Sequence, residues 1–199
     1  MSPLLQTFAN GSALGYRSLS ATAAGDYESI ATVTVGSGGS SSITFSSIPS
    51  TYQHLQIRAI GRTNRSANGD YSLFQFNSDT SSSNYTTHYL SGNGSTVDSG
   101  AYVTSFGGVL VNRWGAASDT ASSFGALVFD LLDYANTNKY KTARSIGALE
   151  TNTSNSQINL QSSVWLSTAA ISSITIIPGA GTSWNQYSSF ALYGIKAAS

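Results

Sequence analysis

The residues of this chain best suited to chemistry are aromatic rings set among amides. Trp184 stands in the loop Gly181-Thr182-Ser183-Trp184-Asn185-Gln186-Tyr187. An indole stacks on the apolar face of a sugar while neighbouring amides bond its hydroxyls, so Trp184, Asn185, Gln186 and Tyr187 form the candidate carbohydrate-binding set. The competing role for Trp184 is structural, capping one end of the fold or packing at a subunit contact, where Trp is also favoured. Trp165 closes an apolar run and reads as core, and Trp114 fits either role.

Other chemistries find less to work with. His54 and His88 lie on different expected strands, and with no cysteine a zinc site would need carboxylates brought in by the fold. The aspartates are dispersed, without the oxygen-ligand spacing of a calcium loop. Asp130 and Asp133 invite comparison with the paired acids of glycoside hydrolysis, but an offset of three in a strand sends two side chains to opposite faces. A strand-end pair answering Lys139 and Lys141 is the simpler reading. Gly36-Ser37-Gly38-Gly39 reads as a hairpin turn and not as a phosphate cradle, and no G-x-S-x-G elbow occurs. Asn-x-Ser/Thr triplets at Asn10, Asn64, Asn84, Asn93 and Asn152 are about as many as so polar a composition yields by chance. The expectation is a non-enzymatic protein with no catalytic residue, no metal and no cofactor.

The elements that must position these residues are strands. Period-two alternation runs through the sequence and helical spacing is broken everywhere by Gly, Ser and Thr. Strands are expected at Ile30 to Val35, Ile43 to Ser46, Leu55 to Ile60, Tyr71 to Phe76 and Tyr85 to Leu90, with one or two across Ala101 to Trp114, interrupted at Gly107-Gly108. Phe124 to Leu132 is expected as a central strand buried on both faces, turning through Ala135-Asn136-Thr137-Asn138 into Lys139 to Leu149. Gln157 to Leu166, Ile171 to Ile177 and Ser188 to Ile195 complete the set, while Ser91 to Gly100 reads as a loop too polar for regular structure. About ten strands at intervals of roughly 8 to 12 residues indicate an all-β, antiparallel β-sandwich, jelly-roll-like, spanning residues 29–199. Residues 1–28 carry neither period and read as an N-terminal attachment arm, with Leu4, Leu5, Phe8, Leu14 and Tyr16 as its apolar contacts.

Charge narrows the partners. Only 9% of the 199 residues are charged, nine basic and nine acidic, so the positive field that nucleic-acid binding needs is missing and no nucleic-acid partner is expected. No apolar run reaches signal-peptide or membrane-spanning length, so neither export by that route nor membrane insertion is expected. Aromatics at 11% and hydrophobic residues at 40% supply a core that a disordered chain lacks. β-branched and aromatic residues fall on both faces of the expected strands, more than one sandwich can hide, which points to a homo-oligomer, with a trimer favoured.

The segment ATVTVGSGGSSSITFSSIPSTYQHLQIRAIGRTN, from Ala31, resembles the opening of a β-rich domain of tailed-bacteriophage virion structural proteins, found in tail fibres and appendages. FALYGIK, Phe190 to Lys196, is similar to the closing strand of that domain, and the two signatures bracket residues 27–196. The resemblance implies a virion location, an assembly role with other virion proteins bound through the arm, and one face toward a host surface glycan. A capsid decoration or head-fibre protein and a free carbohydrate-binding module are the alternatives.

Overall fold

The alternation builds twelve strands in the computed structural model, which describes residues 26–197. They are β1 (Tyr27–Thr34), β2 (Ile43–Phe45), β3 (His54–Gly61), β4 (Asp70–Phe76), β5 (Tyr85–Gly92), β6 (Val97–Val103), β7 (Val109–Trp114), β8 (Gly125–Leu132), β9 (Lys141–Leu149), β10 (Gln157–Trp165), β11 (Ile174–Pro178) and β12 (Ser189–Ile195). An eight-stranded sheet, β1-β12-β3-β8-β9-β10-β5-β6, faces a four-stranded one, β2-β11-β4-β7, and all pairings are antiparallel. From β2 to β5 the chain changes sheet at every step. β11 and β12 return late to lie between β2 and β4 and between β1 and β3. This crossing gives the jelly-roll-like sandwich that the spacing of strands predicts. The meander β8-β9-β10 is what widens one sheet to eight strands.

The core lies between the layers, where inward residues of both sheets interdigitate. Phe74 of β4 meets Phe129 of β8 with ring centroids 4.6 Å apart, and Phe76 meets Trp165 edge-on at 5.7 Å. Trp165 is buried as expected, and so is Trp114. Under β9, β10 and β5 the inward side chains are polar. Thr87 and Ser163 share a hydrogen bond of 2.9 Å, and the Gln161 side-chain oxygen accepts from the Asn112 backbone N–H at 3.1 Å and the Ser145 hydroxyl at 3.2 Å. These groups are tolerable there because they are bonded, while the buried amide nitrogen of Asn159 has no partner.

Four expectations need correction. β1 begins at Tyr27, paired to Ile195, so Tyr27 and Glu28 belong to the sandwich and not to the arm. Glu28 accepts a hydrogen bond from the Tyr52 hydroxyl at 2.9 Å and pairs with Lys196, which ties the first strand to the last. Residues 1–25 of the arm, with Leu4, Leu5, Phe8, Leu14 and Tyr16, lie outside the described residues. The stretch from Ser91 to Gly100 is a hairpin of β5 and β6, because the Asn93 side chain accepts the N–H groups of Ser95 and Thr96 at 3.0 and 2.8 Å and so reverses the chain in two residues. β8 is central but buried on one face only, with Ala126 exposed and Val128 half-buried on the other. Finally, Asp133 pairs with Lys139 and Asp130 with Arg144 at 3.0 Å, while Lys141 pairs with no carboxylate. Its buried ammonium donates to the carbonyls of Asn136, Lys139 and Thr168 at 2.6, 3.0 and 3.0 Å, and burial pulls its pKa down.

The turn before β5 gives a pH prediction. Burial raises the Asp79 pKa, but hydrogen bonds from the Trp165 indole at 2.7 Å, the Asn84 amide at 2.8 Å and the Ser81 N–H at 2.9 Å outweigh it, and the net shift is downward. A depressed folded-state pKa stabilises above the unfolded value, about 3.9, and that contribution disappears as pH falls through the folded value. Asp79→Asn is expected to cost about 1–3 kcal/mol at pH 7 by urea unfolding. The gap from wild type should narrow steadily as the pH is lowered below about 4.

Candidate functional site

The ends of β1 and β3 and the starts of β8 and β12 come together at one end of the sandwich, and the loops there surround an open cleft of about 590 Å³. Asn185, Gln186 and Tyr187 line one wall. Asn64, Ser122 and Phe124 also line it, and the turn at Gly38 and Gly39 borders the rest. Gly39 takes φ +73 in that turn, and a Cβ there would come within 2.4 Å of the Ser183 hydroxyl, so only glycine lets the turn approach the wall this closely.

Three of the four candidate binding residues therefore meet at one cleft, and the fourth does not. Trp184 is fully buried. Its backbone exchanges hydrogen bonds with Ser40 at 3.0 and 2.7 Å, which turns the side chain inward between the sheets. There the indole meets Trp114 edge-on at 5.1 Å and Phe190 at 4.8 Å, and its N–H points to the Ile176 carbonyl at 3.4 Å. Flanking amides made Trp184 look like a loop ligand. Its inward direction comes from bridges to residues remote in sequence, which no local pattern reports.

Tyr187 holds the exposed ring instead, 69% accessible. Its backbone sits at φ +72, a conformation unfavourable for a bulky side chain. Two bonds hold it there, from the Tyr187 N–H to the Val35 carbonyl at 3.0 Å and from the Ser188 N–H to the Asn185 carbonyl at 3.1 Å. Backbone strain of this kind costs on the order of 1–3 kcal/mol and persists where the surroundings impose it. Phe124, half-buried, is the second ring at the cleft; expected within a strand, it lies one residue before β8 begins.

Buried charges stiffen the cleft. Arg62 donates to the backbone carbonyls of Thr120, Ser123 and Asp119 at 3.1, 2.8 and 3.2 Å, so the 117–123 loop is fastened to the end of β3. Asp70 accepts from the Thr63 hydroxyl at 2.8 Å and from the N–H groups of Ala180 and Gly181 at 3.1 and 3.0 Å, fastening the loop that leads to Trp184. The Asn64 side-chain oxygen takes the N–H groups of Thr182 and Ser183 at 2.9 and 3.1 Å. No carboxylate or imidazole lines the cleft among the described residues. Besides the largely buried Arg62, the lining offers the rings of Tyr187 and Phe124, amides and hydroxyls, a set that suits a polyol. Among the described residues no group of three His, Cys, Asp or Glu side chains is arranged to hold a metal ion.

No family model and no curated protein matches the chain. Among solved structures, a fructofuranosidase from Schwanniomyces occidentalis complexed with fructose is similar at 8% identity and a TM-score of 0.28, over 87% of this chain and 35% of that one. A likeness this weak carries no argument about fold or activity.

The two rings can be separated by experiment. Trp184→Ala removes a side chain packed on all sides and is expected to lower unfolding free energy by about 3–5 kcal/mol in urea titration. Tyr187→Gly relieves the positive φ, so its melting temperature should be unchanged or higher. A loss of stability comparable to that of Trp184→Ala would show that the Tyr187 ring packs as structure.

Proposed function

We propose that the chain is a non-enzymatic structural component of a tailed-phage virion, in the tail-fibre or tail-appendage class, and that the cleft between Tyr187 and Phe124 contacts a host surface glycan. One observation supports the first part. The opening and closing signatures that carry the resemblance, far apart in sequence, are neighbours in one sheet: β12 lies between β1 and β3, with Phe190 opposite Val33 on one side and Ala59 on the other. They form one continuous three-stranded unit, as segments of a single domain type should.

The chemistry of the cleft supports the second part. A ring held in water by a strained backbone, with Gln186, Asn185 and Asn64 around it, suits a sugar's apolar face and hydroxyls. The residues of the arm, 1–25, are assigned to attachment on another virion protein. A free carbohydrate-binding module is the second reading, favoured by the same cleft.

Mass spectrometry and immunogold labelling of purified particles test the placement. The protein is expected in the virion at one defined position, and its absence from particles would remove the reading. Tyr187→Gly is expected to weaken glycan binding several-fold, since a ring stacked on a sugar contributes on the order of 1 kcal/mol beyond buried area. Glycan-array binding and adsorption to host cells measure it. Binding unchanged in the folded variant would take the cleft out of recognition.

A further inference from the structure

The large sheet is apolar on the wrong side over half its width. Between the core residues Leu149, Trp165 and Tyr85 at their ends, the inward positions of β9, β10 and β5 are small or polar, Ser145, Gly147, Asn159, Gln161, Ser163 and Thr87, whereas Ile146, Ile158, Leu160 and Leu90 point out. A strand's side chains alternate, so a one-residue change of register would have buried the second set. The register observed leaves them 48–54% exposed.

These side chains continue across the sheet in register. One row runs Ile60, Ala126, Ala148, Ile158, Gly92 and Val97 from β3 to β6. The next row runs Val128, Ile146, Leu160 and Leu90. Shallow depressions of about 450 and 330 Å³ lie along them, lined mainly by these apolar residues. A polar row follows, in which Asp130 accepts hydrogen bonds from Gln56 at 2.8 Å and Arg144 at 3.0 Å, and Arg58 donates to Gln56 at 2.8 Å.

We propose that a second copy of this chain packs on this outer face of the large sheet. The apolar side chains leave on the order of 600 Å² in water, at the upper end of what a monomer ordinarily exposes and approaching the roughly 800 Å² per partner of a standard interface once the polar row is included. The shape suits another sheet: the face is open, shallow and six strands wide, where an extended segment would cover only one row. The charges suit a copy of itself. Apart from Arg58, which ends the second row on β3 opposite Val128, the rows carry none, and the polar row beside them holds both signs, Arg144 with Asp130, so a self-complementary contact can set unlike charges against each other. Two such faces stacked about 10 Å apart would form a second, intermolecular core.

This inference is independent of the virion reading, and no residue that lines the cleft lies in the two rows. The experiment is light scattering of the full chain at micromolar concentration, beside the double variant Ile146→Glu/Leu160→Glu and the milder Ile146→Ser/Leu160→Ser. Wild type is expected at a multiple of the 20.8 kDa chain mass, and the Glu variant at the chain mass itself with its far-ultraviolet circular dichroism intact. The Ser variant is expected to dissociate at a concentration at least tenfold higher than wild type does and lower than the Glu variant does, which keeps the result readable if the Glu variant fails to fold. A monomeric wild type overturns the proposal, as does an oligomer whose mass and dissociation both substitutions leave unchanged.

Discussion

The cleft end of the molecule depends on one packing constraint, the meeting of Trp114, Trp184 and Phe190 over Gly61. The three rings belong to the last residue of β7 in the small sheet, to a loop, and to β12 in the large sheet, and they contact one another at centroid distances of 4.8 to 5.9 Å. A Cβ on residue 61 would stand 2.9 Å from Trp114 and 3.0 Å from Trp184, so the cluster closes only because that position is glycine. With the indole of Trp184 locked inside, Tyr187 three residues on is carried outward. The candidate binding ring is thus exposed as a consequence of burying the ring beside it.

Charge is used sparingly in this protein, and where it is buried it mainly holds backbone. Arg62, Asp70 and Lys141 are all buried, and each is satisfied largely by carbonyl or N–H groups of loops. Such charge-assisted bonds are stronger than neutral ones and stabilise segments that have no ladder of their own. Arg62 and Asp70 make the loops around the cleft a fixed surface, and a fixed surface loses less entropy when it binds. The scarcity of charge and the stiffness of the loops are therefore connected. Neutral side chains are left to face solvent at the cleft.

The large sheet divides into two regimes. Around β12, β3 and β8 the apolar side chains face the small sheet, with Phe190, Leu192, Leu55, Ile57, Leu127 and Phe129 buried. Around β9, β10 and β5 only β7 stands opposite much of the inner face, and a polar network fills the space. The four strands of the small sheet are too few to cover eight. The half that they cover poorly carries its apolar residues on the other side, where no described strand covers them.

Alternation is a local property, and the sequence by itself determined what depends on it: the all-β class, the antiparallel sandwich, most strand positions and the Asn136-centred hairpin turn, whereas Gly36–Gly39, expected as a hairpin turn, carries the chain from one sheet to the other because β1 and β2 do not pair. Composition likewise determined that aromatics would form the core, with Trp165 inside it. The direction each alternating face takes is not local. Trp184 reads as a ligand beside its amides and proves to be core because Ser40 and Gly61 leave it a place to enter. Ser91 to Gly100 reads as loop and proves to be hairpin because β10 offers β5 a partner. Ile146, Ile158 and Leu160 alternate with Ser145, Asn159 and Gln161, and they lie outside because the covering sheet ends before it reaches that half of the large sheet. A period of two gives two faces without saying which is buried, and only the pairing of strands distant in sequence decides that.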